Sequence, residues 1–207
     1  MLHMRRKRYA VIPTRNRPDD FRDCMAAITP QVDRVIIISH GASYADPLSL
    51  DWPDHSIIGY AEDPPNISRM WNLGLNACSN LDNPIGYDVA VLNDDVIVPP
   101  DWFERVVRSM REEDNASAGC VRRPRDLRMT GYAFILDGNV GLRADEQFQW
   151  WYGDDDLQRQ AMQLGGIAYA GGQDVEHRHP NSTTVGVLAE IAGQDRERFI
   201  AKWESAR

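Results

Sequence analysis

Three features of this 207-residue sequence predict an α/β fold, a mixed and mostly parallel central sheet flanked by helices. Short apolar runs alternate with segments of helical periodicity through the first half, the pattern of parallel strands joined by crossover helices. The run V-A-V-L-N-D-D-V-I-V at 89–98 is broken at its centre by Asn93, Asp94 and Asp95. A buried strand offers no solvation to two carboxylates, so the acids belong at its end, where open α/β sheets collect ligands. The length suits one good core, and the chain reads as a single domain, 1–207.

The elements follow in order. Residues 9–13 are a first strand, and 18–28 a helix with Pro18 at its start. Val35 to Ile38 make 34–39 the strongest strand, and 56–60 is a shorter one. Ile67, Met70, Leu73 and Ala77 recur at helical spacing, so 66–80 is a helix despite Gly74. After the acidic strand, Pro99-Pro100-Asp101 closes a loop, with Asp101 as N-cap and Glu104 in a capping-box relation to it, opening a helix over 102–112. The second half is less regular: a strand at 131–136, a turn at Asp137-Gly138-Asn139, a helix at 154–164 with three acids in its first turn, short strands at 167–170 and 175–177, and a terminal helix at 195–205. A donor side (8–118) and an acceptor side (119–194) are expected, followed by the C-terminal helix (195–207).

Hydrophobic and charged fractions of 43% and 26% are those of an ordinary globular protein, and no apolar run approaches a membrane span. Arg5, Arg6, Lys7 and Arg8 resemble the start of a signal peptide, but only 9–12 are apolar before Pro13. The expectation is a cytoplasmic protein with a basic tail. Cys24, Cys78 and Cys120 are odd in number and lack a C-x-x-C pair, which argues for core thiols. A net charge of -8 disfavours nonspecific attraction to nucleic acid or anionic membrane. Arg122, Arg123, Arg125 and Arg128 are the local exception, a phosphate-facing cluster or a solvated loop.

Taken together, these strings resemble glycosyltransferases of family 2 with the GT-A (Rossmann-like) fold. V-I-P-T-R-N-R-P at 11–18 is similar to the family's first strand and nucleotide-cradling loop, and N-I-S-R-M-W-N-L-G at 66–74 to its helix beside the nucleotide. Asn93-Asp94-Asp95 stands where the family keeps its D-x-D metal motif. D-E-Q-F at 145–148 and G-D-D-D-L at 153–157 resemble two acidic segments of its catalytic half, and His177, five residues before Ser182, resembles a histidine that completes the metal site. The resemblance implies Asp154 as catalytic base with Asp155 and Asp156 beside it, and Asp95 and His177 as ligands of Mn²⁺ or Mg²⁺. It also implies Pro13, Thr14, Arg15, Arg17, Ser39, Arg69, Asn72, Asn93 and Asp94 around a nucleoside-diphosphate sugar. The sequence departs from the family pattern in three places: Asn93 replaces an Asp, Gly153 a Glu, and Ser39-His40-Gly41 an Asp-ended strand.

The chemistry fits these residue types. Sugar transfer needs charge neutralised on the leaving diphosphate and a proton removed from the acceptor hydroxyl. Asp95 offers a hard oxygen and His177 a nitrogen, a mixed set that suits Mn²⁺ better than Mg²⁺; a structural histidine, or His179 as substitute ligand, is the alternative. Repulsion within Asp154-Asp155-Asp156 raises a carboxyl pKa, while the helix dipole opposes it. Successive helical positions diverge by about 100°, so at most two of the three share a pocket. Trp150, Trp151 and Tyr152 supply faces for stacking on an acceptor sugar, with core packing as the fate of at least one. A binding module without turnover, or a sugar nucleotidyltransferase, are the competing readings; Pro13-Thr14-Arg15-Asn16 lacks the glycines the latter needs. The acceptor stays open among a small molecule, a protein, a glycan and a modified nucleobase.

Overall fold

The computed structural model describes residues 5–41, 54–81, 83–113, 115–122, 128–180 and 184–204. Arg123, Arg125 and Ser182 lie outside them. In chain order the elements are β1 (Lys7–Thr14), α1 (Pro18–Ile28), β2 (Arg34–His40), β3 (His55–Tyr60), α2 (Ile67–Ser79), β4 (Tyr87–Leu92), β5 (Val96–Ile97), α3 (Trp102–Glu112), β6 (Ala118–Val121), β7 (Ala133–Asp137), α4 (Gly153–Leu164), β8 (Ile167–Ala170), β9 (Glu176–His177) and α5 (Val187–Trp203).

Seven strands form one sheet in the order β3-β2-β1-β4-β7-β6-β8, and β5 pairs with β9 in a separate two-stranded ribbon. Every neighbour pair in the large sheet is parallel except the two that involve β7. The mixed, mostly parallel α/β architecture is therefore as expected. Alternation along β1 divides the core: Ala10 and Ile12 belong to one buried cluster with Phe21 and Met25 of α1 and Trp102 and Val106 of α3. Tyr9 and Val11 belong to the other, with Trp71 and Leu75 of α2 and Leu157 and Ala161 of α4. Both faces of the parallel region are covered, which is why its strands read as continuous apolar runs. All three cysteines are buried, and burial pushes the Cys78 thiol up to about 12.

Three local expectations need correction. Asp101 occupies the N-cap of α3 but its side chain makes no capping hydrogen bond; Glu104, the other half of the expected box, pairs with Arg8 instead. Strand β6 was not foreseen, because four small or short residues, A-G-C-V, carry no alternation. Helix α5 starts at Val187 rather than 195. Its buried Leu188, Ile191, Asp195 and Phe199 fall at helical spacing, but Gly193 and a carboxylate inside the apolar stripe disguise it. Among the described residues no helix is long and apolar enough to cross a membrane.

Candidate active site

Parallel strands β1, β2 and β4 end together at Thr14, His40 and Leu92, and a cavity of about 880 Å³ opens at that edge. The connections leave β1 toward β2 on one side and β4 on the other, the switch point at which doubly wound sheets bind ligands. Asp94 ties the two loops there: its Oδ2 accepts from the Thr14 hydroxyl at 3.0 Å and from the Arg15 backbone N–H at 3.3 Å. Burial pushes the Asp94 carboxyl up to about 6, against the pull of Arg17 and these hydrogen bonds.

Asp95, only 1% exposed, is the next residue along. Arg17 Nη1 donates to its Oδ2 at 2.7 Å, and His177 Nε2 lies 3.4 Å from its Oδ1. Eighty-odd residues separate Asp95 from His177 in sequence, and the ribbon closes that gap: Val96 stands opposite His177, and Arg178 N–H donates to the Asp95 carbonyl at 3.1 Å. Arg178 in turn pairs with Asp20 and Asp23 of α1, and Tyr132 stacks on the His177 ring at 4.3 Å. Burial raises the Asp95 pKa, but His177 and Arg17 outweigh it and hold the carboxyl below its ordinary value.

The donor set suits a divalent cation only in part. Oδ1 of Asp95 is buried without a hydrogen-bond partner, beside an imidazole nitrogen, as a ligand pair would be. Among the described residues no three His, Cys, Asp or Glu side chains converge on one point. Asp95 and His177 would therefore hold a cation with most of its coordination left to substrate oxygens and water, as suits a metal that works on phosphate.

The start of α4 lines the same cavity. Asp154 and Asp155 line the cavity. Asp156 does not: turned inward and fully buried, it accepts from Trp203 Nε1 at 2.8 Å and Gln160 Nε2 at 2.7 Å and pairs with Lys202 at 2.7 Å. Burial first, and the neighbouring Asp155 second, push Asp154 up to about 7. One glycine makes room for this acid and a second for the helix that carries it. A Cβ on Gly131 would stand 2.1 Å from Asp154 Oδ2, and one on Gly153 would stand 2.6 Å from Ser68 Oγ. Packing against α2 thus accounts for the glycine at 153.

Tyr152, which caps α4, has φ of 67°, a left-handed conformation that strains a bulky residue by about 1–3 kcal/mol. Helix α5 holds it. Asp195, fully buried, accepts from the backbone N–H groups of both Trp150 and Trp151, at 2.7 and 3.0 Å, and Phe199 packs against the Tyr152 ring at 5.0 Å. Trp150, Trp151 and Tyr152 all line the cavity, Trp151 being 40% exposed with its indole N–H on Thr184.

The sequence model described as "Glycosyl transferase family 2" matches residues 9–161. The chain belongs to that family. No curated protein matches the sequence significantly. Among solved structures, the mannosyltransferase PcManGT from Pyrobaculum calidifontis, in complex with GDP-Man and Mn²⁺, aligns over 87% of this chain with a TM-score of 0.67 and 14% identity. The chain spans 59% of that protein's length. TarS from S. aureus (1–349) aligns over 96% of this chain and 73% of its own, with a TM-score of 0.63 and 9% identity. A nucleotidyl transferase from Methanothermobacter thermautotroptrophicus aligns over 95% and 99%, with a TM-score of 0.55 and 11% identity. At such identities these likenesses establish the fold, GT-A in the first two.

Within this family 2 chain, Pro13, Thr14, Arg15, Arg17, Asn93, Asp94, Asp95 and His177 are brought to one cavity with Asp154 and Asp155. Ser39, Arg69 and Asn72 are not. Ser39 is fully buried, and its successor His40 reaches the cavity instead, as strand alternation requires. Ile67, Met70 and Trp71 present the cavity face of α2, which turns Arg69 toward Glu62 and Glu146 and Asn72 toward Ala144. His40 and Tyr132 were missed. His40 Nε2–H donates to the Glu62 carbonyl at 2.7 Å, which leaves the buried Nδ1 as an acceptor without a partner among the described residues. Its position at the end of an apolar strand was the available signal.

Proposed function

We propose that this protein is a metal-dependent, inverting glycosyltransferase that moves a sugar from a nucleoside-diphosphate sugar to a hydroxyl acceptor. One observation carries the reading: Asp95 with His177, and Asp154, come from separate segments to line one cavity at the strand ends. Residues 8–118 form the donor side and 119–194 the acceptor side. The complex of the mannosyltransferase with GDP-Man and Mn²⁺ supports this donor class.

A cation on Asp95 and His177 would neutralise charge growing on the leaving diphosphate. Arg15 and Arg17 face the same region and add hydrogen bonds to phosphate oxygens. In the same cavity, Asp154 takes the proton from the acceptor hydroxyl as it attacks the anomeric carbon, and Asp155 keeps that carboxyl basic. Trp150 and Trp151 seat the acceptor and exclude water from the reacting carbon.

The test is a thermal-shift panel of UDP, GDP, dTDP and CMP and their sugars, with and without Mn²⁺, followed by donor-sugar turnover. Stabilisation by one nucleoside diphosphate only with Mn²⁺, together with turnover, is expected; binding without transfer or donor hydrolysis would leave a binding module. A second reading rests on Arg17, whose guanidinium already occupies one oxygen of Asp95. Should Arg17 neutralise the diphosphate itself, nucleotide binding would need no metal and would be lost in Arg17→Gln.

A further inference from the structure

Beside the donor cavity lies a second one of about 480 Å³, between α4 and α5, and the two share Tyr152 and Asp155. Its volume falls within the range of about 300–1,000 Å³ in which small ligands bind. Helical spacing builds it. Asp155, Gln158, Arg159 and Met162 recur on one face of α4, and Arg196, Phe199 and Ile200 on the facing side of α5.

Three guanidinium groups, those of Arg128, Arg159 and Arg196, surround this one groove in a chain of net charge -8. Asp155 and Glu204 also line it. Yet neither Arg159 nor Arg196 has an ion-pair partner among the described residues, whereas Arg15 and Arg17 of the neighbouring cavity pair with Asp63 and Asp95. Two like charges directed at one groove repel until an anion enters, and guanidinium forks match the oxygens of a phosphate in a way an ammonium does not. Tyr152, Phe199 and Ile200 add apolar surface to its lining.

We propose that this groove is the acceptor subsite for a phosphate ester on a small, partly apolar molecule, held by Arg159 and Arg196. Its ring rests on Tyr152 and Phe199 and its hydroxyl passes Asp155 toward Asp154. This rests on the glycosyltransferase reading only for the role of acceptor; the binding itself does not.

The probe is phenyl phosphate, titrated into the metal-free full-length protein at constant ionic strength and followed by calorimetry. Saturable binding is expected, weakened at least tenfold in Arg159→Gln/Arg196→Gln. That variant should keep the wild-type thermal response to nucleoside diphosphate with Mn²⁺, since neither residue lines the donor cavity. Arg196→Glu alone, at an exposed position, should weaken binding further than Arg196→Gln and guards against a folding artefact. Equal affinity in wild type and double variant, or no binding to either, overturns the proposal. So does an arginine-dependent sedimentation with phosphatidic acid vesicles in place of phenyl phosphate, which would assign the charge to a lipid surface. Because the titration requires no sugar transfer, a failed donor panel leaves its result standing.

Discussion

Asp95 and Asp154 are both carboxylates, and their surroundings drive them apart. Asp95 is kept ionised by Arg17 and His177, whereas Asp154 is pushed up to about 7 by burial beside Asp155. A ligand must be charged, and a base must be able to accept a proton. Asp95→Ala is expected to abolish the Mn²⁺-dependent thermal response to nucleoside diphosphate together with transfer. Asp154→Asn should lower kcat by about 10²–10⁴-fold, the usual share of a general base, with donor affinity retained; undiminished transfer would move the base elsewhere. With the wild type, kcat should rise with pH to a plateau above about 7. Stability runs the other way. The folded value exceeds the unfolded one of about 4, so ionisation favours the unfolded chain and stability is lost as pH rises from about 4 to 7. Asp154→Asn should therefore raise Tm at pH 8 and leave it unchanged at pH 4, in parallel melting curves.

Helix α5 braces the cavity wall through hydrogen bonds to its backbone. The family match ends at residue 161, yet Asp195 of α5 holds two consecutive backbone N–H groups of the aromatic wall, and Asp156 anchors α4 to Trp203 and Lys202. Asp195→Ala leaves both N–H groups unsatisfied, at about 1–3 kcal/mol each. The expected outcome is a markedly lower Tm and a raised acceptor KM, with Asp195→Asn, which keeps an acceptor oxygen, recovering part of both. On the facing loop, Gly131→Ala would push a methyl into Asp154 Oδ2. That oxygen is the far end of a flexible side chain, so kcat should fall while Tm moves little; unchanged kcat would show that the carboxylate has room to step aside.

Across the whole molecule, a buried charge network lies at the strand ends opposite the cavity. There, Asp88 of β4 stands directly opposite Asp137 of β7, a like-charge pair that Arg6 and Arg111 neutralise together. Removing one arginine strands a buried carboxylate. Arg111→Ala is expected to destabilise the protein toward the low end of about 3–5 kcal/mol, because the arginine is 27% exposed, with nucleotide affinity unchanged. Denaturant melts and nucleotide titrations on the same variant separate the two effects. A change in affinity would mean that the network supports the site through the sheet.

The sequence by itself determined the parallel part of the sheet, because continuous apolar runs such as V-I-I-I in β2 and V-A-V-L in β4 are local signals, and it placed Asn93-Asp94-Asp95 at a strand end because charges cannot stay inside one. Family resemblance pointed to Asp95, His177 and Asp154. Only the tertiary structure decided which side chains face the cavity. Asp156, Arg69 and Asn72 are of the right chemical types but sit one or two helical positions off the facing direction, and Ser39 yields to His40 by strand alternation. Helix α5 was half hidden because the buried Asp195 in its stripe is satisfied by backbone groups more than forty residues away. Meetings of this kind, His177 with Asp95 through a two-residue ribbon or Arg159 with Arg196 across a groove, leave no periodicity in the sequence; they exist only once the segments have packed.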